Sequence, residues 1–175
     1  MKFIRKIKEE KGTILIESIV GISLVTVGIL GIIALLTRSS GLYNSAVNNL
    51  KATYFAAEGI EVVKNITDTN YVENNNQWTP PTDGWYYLDY STPGNSFTSV
   101  EKTVDPLSAK LVKFDSSGGV YVSPDASTGE NTIFKRIAEI KNFADHLDVK
   151  SYVSWKEGEN QRQILLEDYF YKWRP

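Results

Sequence analysis

The residues able to do chemistry fall at two places in this 175-residue chain. One is Glu17, a single carboxylate four residues into the apolar run that begins at Thr13. A charge so placed costs of order 1–3 kcal/mol unless it snorkels or is paired, so a partner is expected for it. The other is His146, the only histidine, with Asp145 and Asp148 on either side. A histidine flanked by carboxylates suits general-base work or a metal. A triad, however, needs a nucleophile and an orienting acid, and nothing marks them. A turn ahead of a strand is the simpler use of His146.

Other signatures of catalysis are missing. Cysteine is absent, which excludes a disulfide framework and a thiolate metal site. No G-x-x-x-x-G-K-[ST] loop offers a nucleotide site. Asp115-Ser116-Ser117-Gly118-Gly119 lacks the acidic density of a calcium loop and reads as a turn. Asn65-Ile66-Thr67 matches a glycosylation sequon by pattern alone. The basic residues of the C-terminal part do not cluster, so no nucleic-acid partner is inferred. The chain is expected not to be an enzyme and to need neither cofactor nor metal.

The elements that must position Glu17 begin with charge. The first twelve residues hold five basic residues against two acidic, a net +3, which leaves −5 for the rest of a chain of formal charge −2. Thr13 to Leu36 is then apolar over 24 residues, Glu17 excepted, and 20 uncharged residues separate Glu17 from Arg38. At about 1.5 Å per residue these span roughly 30 Å, the hydrocarbon thickness of a bilayer. The basic start places the N-terminus in the cytoplasm and everything beyond the span outside. A secretory signal is a poorer account, because the run is too long and no small-residue cleavage site follows it. A plain single-span anchor explains the length but not Glu17.

Lys11-Gly12-Thr13-Ile14-Leu15-Ile16-Glu17 resembles the leader junction of type IV prepilins: basic leader, glycine, four mostly apolar residues, glutamate, hydrophobic helix. The resemblance implies that a prepilin peptidase cuts between Gly12 and Thr13 and methylates the new amine of Thr13. It also makes Glu17 the family's assembly carboxylate. Thr13 departs from the phenylalanine more often found first in the mature family. The cut would give Thr13 an ammonium, and Glu17, four residues on, shares its helix face one turn along. Glu17 then pairs with its own amine or with that of a staggered neighbour, and the family favours the neighbour.

The helical pattern continues past the span. Tyr43, Val47, Leu50, Tyr54 and Ala57 recur at alternating steps of four and three, and Ile60 and Val63 extend the stripe. Helix is expected from Thr13 to Thr67-Asp68-Thr69-Asn70, with Gly21, Gly28, Gly31 and Gly41 as weak points. Ala56-Ala57-Glu58-Gly59-Ile60-Glu61-Val62-Val63-Lys64-Asn65 is similar to a stretch of PilV-type minor pilins, with Lys64 where they usually have arginine. Ile164 to Pro175 resembles the last strand of the same group.

From Tyr71 the texture turns to loops and strands. Trp85 to Tyr90 reads as a strand, and Ala109 to Phe114 with Val120 to Val122 reads as a hairpin. Thr132 to Lys141 reads as another strand. Val149 to Lys156 and Arg162 to Trp173, joined by Glu157-Gly158-Glu159-Asn160, make the clearest hairpin. The expected fold is α+β: a long N-terminal helix, half membrane and half amphipathic, packed on a small sheet of four or five antiparallel strands in the pilin manner. Residues 1–12 would be the removed leader, 13–37 the membrane or filament-core helix, 38–68 the amphipathic helix and 69–175 an extracytoplasmic head. The function implied by the resemblance is a minor pilin or pseudopilin. Its partners would be the peptidase, the cytoplasmic membrane and sibling pilins, and it would end in a filament at the cell surface or in the periplasm. An uncleaved, single-span anchored binding protein is the alternative.

Overall fold

The computed structural model describes residues 2–73, 81–88, 98–100, 109–118, 120–122, 127 and 129–172, and of 2–11, 98–100 and 120 the backbone only. A helix, α1, runs Lys2–Glu73, and seven strands follow: β1 Gly84–Tyr87, β2 Thr98–Val100, β3 Leu111–Asp115, β4 Val120–Val122, β5 Glu130–Asn142, β6 His146–Glu157 and β7 Asn160–Tyr171. The chain divides into two compact units, Met1–Val47 and Asn48–Pro175.

In the first unit the large apolar side chains between Ile14 and Leu36 are all more than half exposed. By length and composition this part of α1 is able to cross a membrane. Its hydroxyls are already paired: Ser18, Ser23, Thr26 and Thr37 donate to the carbonyls of Ile14, Ile19, Ile22 and Ile33 at 2.7–3.0 Å. Such back-bonding lets a hydroxyl sit in lipid without an unmet donor. α1 stays helical through Gly21, Gly28, Gly31 and Gly41, the expected weak points.

In the second unit β5 is the axis of an antiparallel sheet. β6 runs along one side of it, from Phe134↔Trp155 to Asn142↔Leu147. β1 and β3 share the other side in tandem, and β2, β4 and β7 are added outside β1, β3 and β6. The two expected hairpins form, β3–β4 and β6–β7. In the second, Glu157 pairs with Asn160, and Gly158 takes the positive φ (+60°) that a two-residue hairpin turn demands.

Residues 48–73 of α1 cover one face of this sheet. Ala52, Phe55 and Ala56 pack with Phe134, Val153 and Trp155. A turn or two further on, Val62 and Val63 pack with Tyr86, Leu88, Ala138, Ile140, Leu147 and Val149. In β6, alternation puts Val149, Ser151, Val153 and Trp155 on this face, and all four are buried.

Three expectations need correction. Among the described residues the sheet has seven strands and not four or five, and β2, a three-residue piece, is the strand that was not read from the sequence. The helix does not stop at Thr67-Asp68-Thr69-Asn70 but is continuous through Glu73. The buried stripe is not Tyr43-Val47-Leu50-Tyr54-Ala57: Tyr43, Leu50 and Tyr54 are 58–69% exposed, and Ala57 is exposed too. The face laid on the sheet is Ala52, Phe55, Ala56, Gly59, Val62 and Val63. The helix approaches the sheet closely at its small residues Ala52, Ala56 and Gly59, with Phe55, Val62 and Val63 packed beside them, and leaves Leu50 and Tyr54 outside.

Candidate functional site

Gly12, Thr13 and Glu17 lie on consecutive turns of α1, with Thr13 and Glu17 exposed. Because the segment is helical, Thr13 and Glu17 fall on one face, as their spacing required. Gly21, Leu24, Gly28 and Gly31 continue that face. At 100° per residue, Glu17 and these four lie within an arc of about 80°. A Cβ added at Gly12, Gly21, Gly28 or Gly31 would meet nothing within 4 Å, so no contact within this chain requires these glycines. What they make is a flat strip beside a carboxylate, the surface on which a second helix comes close in a membrane. The reading from sequence counted these glycines as weak points. A helical wheel centred on Glu17 was the signal that would have shown the strip.

The second constellation links α1 to the sheet. Arg136 of β5 is 2% exposed, and its guanidinium reaches Glu58 Oε2 at 3.1 Å, the carbonyl of Leu88 at 3.0 Å and that of Phe55 at 3.4 Å. A buried guanidinium tolerates burial only when paired and hydrogen-bonded in this way. Next to Glu58, Gly59 sits against Ser151: a Cβ there would lie 2.4 Å from the serine Oγ. Glu58-Gly59 therefore does two jobs at one point, charge pairing and close approach. The motif at 56–65 was legible as a motif, but its partners Arg136 and Ser151 lie some 80 and 90 residues downstream, beyond any local pattern.

His146 does not form a triad. Its Nδ1 is 2.7 Å from Asp145 Oδ1, while Asp148 turns its Oδ2 towards Lys150 at 3.5 Å. The hydrogen bond from His146 holds the Asp145 carboxyl below its ordinary range. Phe143 stacks on the imidazole at 4.6 Å, and Tyr171 and Tyr169 lie 5.3 and 5.7 Å away. Among the described residues no three His, Asp or Glu side chains are grouped as metal ligands would be.

Two further sequence candidates take plain structural roles. Asp115 caps its own turn, accepting from Ser117 N and Oγ at 2.9 and 2.6 Å, which lowers its pKa. Thr67 of the sequon is buried, with its hydroxyl on the carbonyl of Val63 at 2.9 Å. No protein-family model, no curated protein and no solved structure matches this chain.

Proposed function

We propose that the chain is a prepilin of the minor pilin or pseudopilin kind. It would be cut between Gly12 and Thr13, held by residues 13–37 in the cytoplasmic membrane, and assembled with sibling subunits into a type IV or related secretion or DNA-uptake filament. The observation that carries this reading is Glu17: a carboxylate on an exposed apolar helix, one turn from the amine that cleavage would create. Such a carboxylate is unfavourable in a lone membrane helix and becomes favourable beside an ammonium in a dry environment. The glycines at 21, 28 and 31 support the same reading, because the strip they form suits a neighbouring helix. The work is mechanical. Residues 13–37 move from lipid to a core of sibling helices, while the sheet unit supplies surface outside.

Glu17→Ala tests this in a cell that has the peptidase and the filament machinery. Mature-size protein should persist in the membrane, while its recovery in sheared filaments should fall severalfold or more. Unchanged recovery would leave Glu17 paired only with its own amine and would remove it from assembly. A chain that keeps its first twelve residues in such a cell would favour the uncleaved anchor instead.

A further inference from the structure

β7 is the long open edge of the sheet. It is twelve residues long, and among the described residues its only neighbour is β6, whereas the other outer strands, β2 and β4, have three residues each. The turn before it fixes which backbone groups are free. Glu157 and Asn160 close a two-residue turn and exchange hydrogen bonds, so alternation directs the N–H and C=O groups of even-numbered residues from 160 to 170 towards β6. Those of the odd-numbered residues point outward. The Tyr169 N–H has this parity, since it is accepted at 2.8 Å by Asp168 Oδ1 and not by β6. Such a row of outward donors and acceptors is a template for another strand.

The side chains of this edge complement themselves when the strand is reversed. Arg162, Ile164, Leu166 and Asp168 stand on the face that α1 covers, because they lie opposite Trp155, Val153, Ser151 and Val149. An antiparallel copy centred on Leu165 sets Arg162 against Asp168, Ile164 against Leu166 and Gln163 against Glu167. Leu165 itself, 47% exposed on the other face, meets its own copy. Centring on Ile164 or Leu166 instead would set Arg162 against Leu166 or Phe170. Charges on an edge ordinarily keep other strands away, but in the Leu165 register they attract. Arg162 leans on Glu157 at 3.3 Å with half its side chain still exposed, so it is within reach of a strand laid alongside.

We infer that β7 pairs edge to edge with β7 of a second copy of this chain, antiparallel and centred on Leu165, so that two sheets join into one. The contact is isologous: each Arg162 meets the other copy's Asp168, and the outward backbone groups of 163, 165 and 167 face one another as hydrogen-bonded pairs. The two-fold axis stands perpendicular to the sheet. Residues 48–73 of the two copies therefore lie on one face and run in opposite directions. Siblings side by side in one membrane run parallel, so this contact is separate from the assembly proposed above. It does not depend on whether the chain is cut at Gly12.

The test uses the full chain in detergent micelles, with dimerisation followed by analytical ultracentrifugation. Arg162→Asp and Asp168→Arg should each weaken the dimer at least fivefold, because each sets like charges opposite one another. The double variant should return it to within about twofold of the parent. The chain has no cysteine, so single cysteines report the register. Leu165→Cys should cross-link to its own copy under mild oxidation, whereas Gln161→Cys, roughly 25 Å from its copy in this register, should not. Circular dichroism of each variant shows that the sheet is intact. A parent chain that stays monomeric overturns the pairing, and so does a dimer that neither single charge change weakens. A double variant that fails to recover, or a Leu165→Cys chain that does not cross-link, overturns the register.

Discussion

Gly59→Ala probes the point where α1 comes closest to the sheet. The new Cβ would stand 2.4 Å from Ser151 Oγ, 3.3 Å from Ser151 Cβ and 3.3 Å from Leu88 Cδ1. The first distance is impossible, and the other two need the neighbours to yield by a few tenths of an ångström. Overpacking of this size costs about 1–3 kcal/mol. Alanine in a helix interior returns roughly 1 kcal/mol over glycine. The net loss should therefore be small, about 0–2 kcal/mol, and the single variant alone decides little. The cycle with Ser151→Ala decides more. That change removes the clashing oxygen, a hydroxyl buried without a partner, so by itself it should be neutral or slightly stabilising. In its presence Gly59→Ala should become neutral or favourable, a coupling of about 1–2 kcal/mol. The assay is urea unfolding of the detergent-solubilised chain, followed by the fluorescence of buried Trp155. Additivity of the two changes within about 0.5 kcal/mol would refute the contact and the account of why a glycine stands at 59.

Three other outcomes follow from the same geometry. Glu58→Ala leaves Arg136 buried without its carboxylate and should cost about 3–5 kcal/mol. A second change, Arg136→Met, should recover much of that loss in the same unfolding assay. Glu167 has its pKa lowered by hydrogen bonds from Lys150 and Tyr169, so it stabilises the fold above its ordinary value near 4.5. That contribution fades as pH falls through the lower folded value. Glu167→Gln should flatten the acid side of the stability curve, and a curve unchanged below pH 4.5 would count against the pair. Gly12→Val, read by N-terminal mass spectrometry in a peptidase-bearing cell, should keep the leader attached, because a branched side chain hinders approach to the scissile bond.

What was legible in the sequence follows the range of the interactions that write it. The apolar span and its carboxylate are local, and so are the β3–β4 and β6–β7 hairpins, because alternation and a glycine turn lie within a dozen residues of each other. The helix stripe was misread for a physical reason. A search for bulky residues at steps of three and four finds Tyr43, Leu50 and Tyr54, whereas a helix lying close on a sheet must present Ala52, Ala56 and Gly59. Size, the usual mark of burial, points the wrong way wherever two backbones approach closely. Arg136 is a second case. A charged residue in a strand that alternates suggests the wet face, yet its register with Val153 places it inside, opposite a glutamate that no local pattern connects to it.

The misread stripe matters beyond the fold. Leu50 and Tyr54 belong to the same compact unit as the sheet, yet they are turned away from it and are 58% and 68% exposed. The sheet has used the face that carries Ala52, Phe55, Ala56, Gly59, Val62 and Val63, so the face of Leu50 and Tyr54 is left for something else. In the proposed filament that face would lie towards sibling subunits, outside the span but still on α1. Under the proposed function, Leu50 and Tyr54 would serve assembly and not the stability of the monomer, which rests on Ala52, Phe55, Ala56, Val62 and Val63. Replacing Leu50 and Tyr54 by serine and threonine should leave the urea midpoint within about 0.5 kcal/mol of the parent, as exposed positions do. The same variant should lower recovery in sheared filaments. A clear loss of monomer stability would mean that the bulky face is covered within the chain. Stability and recovery both unchanged would mean that siblings pack elsewhere.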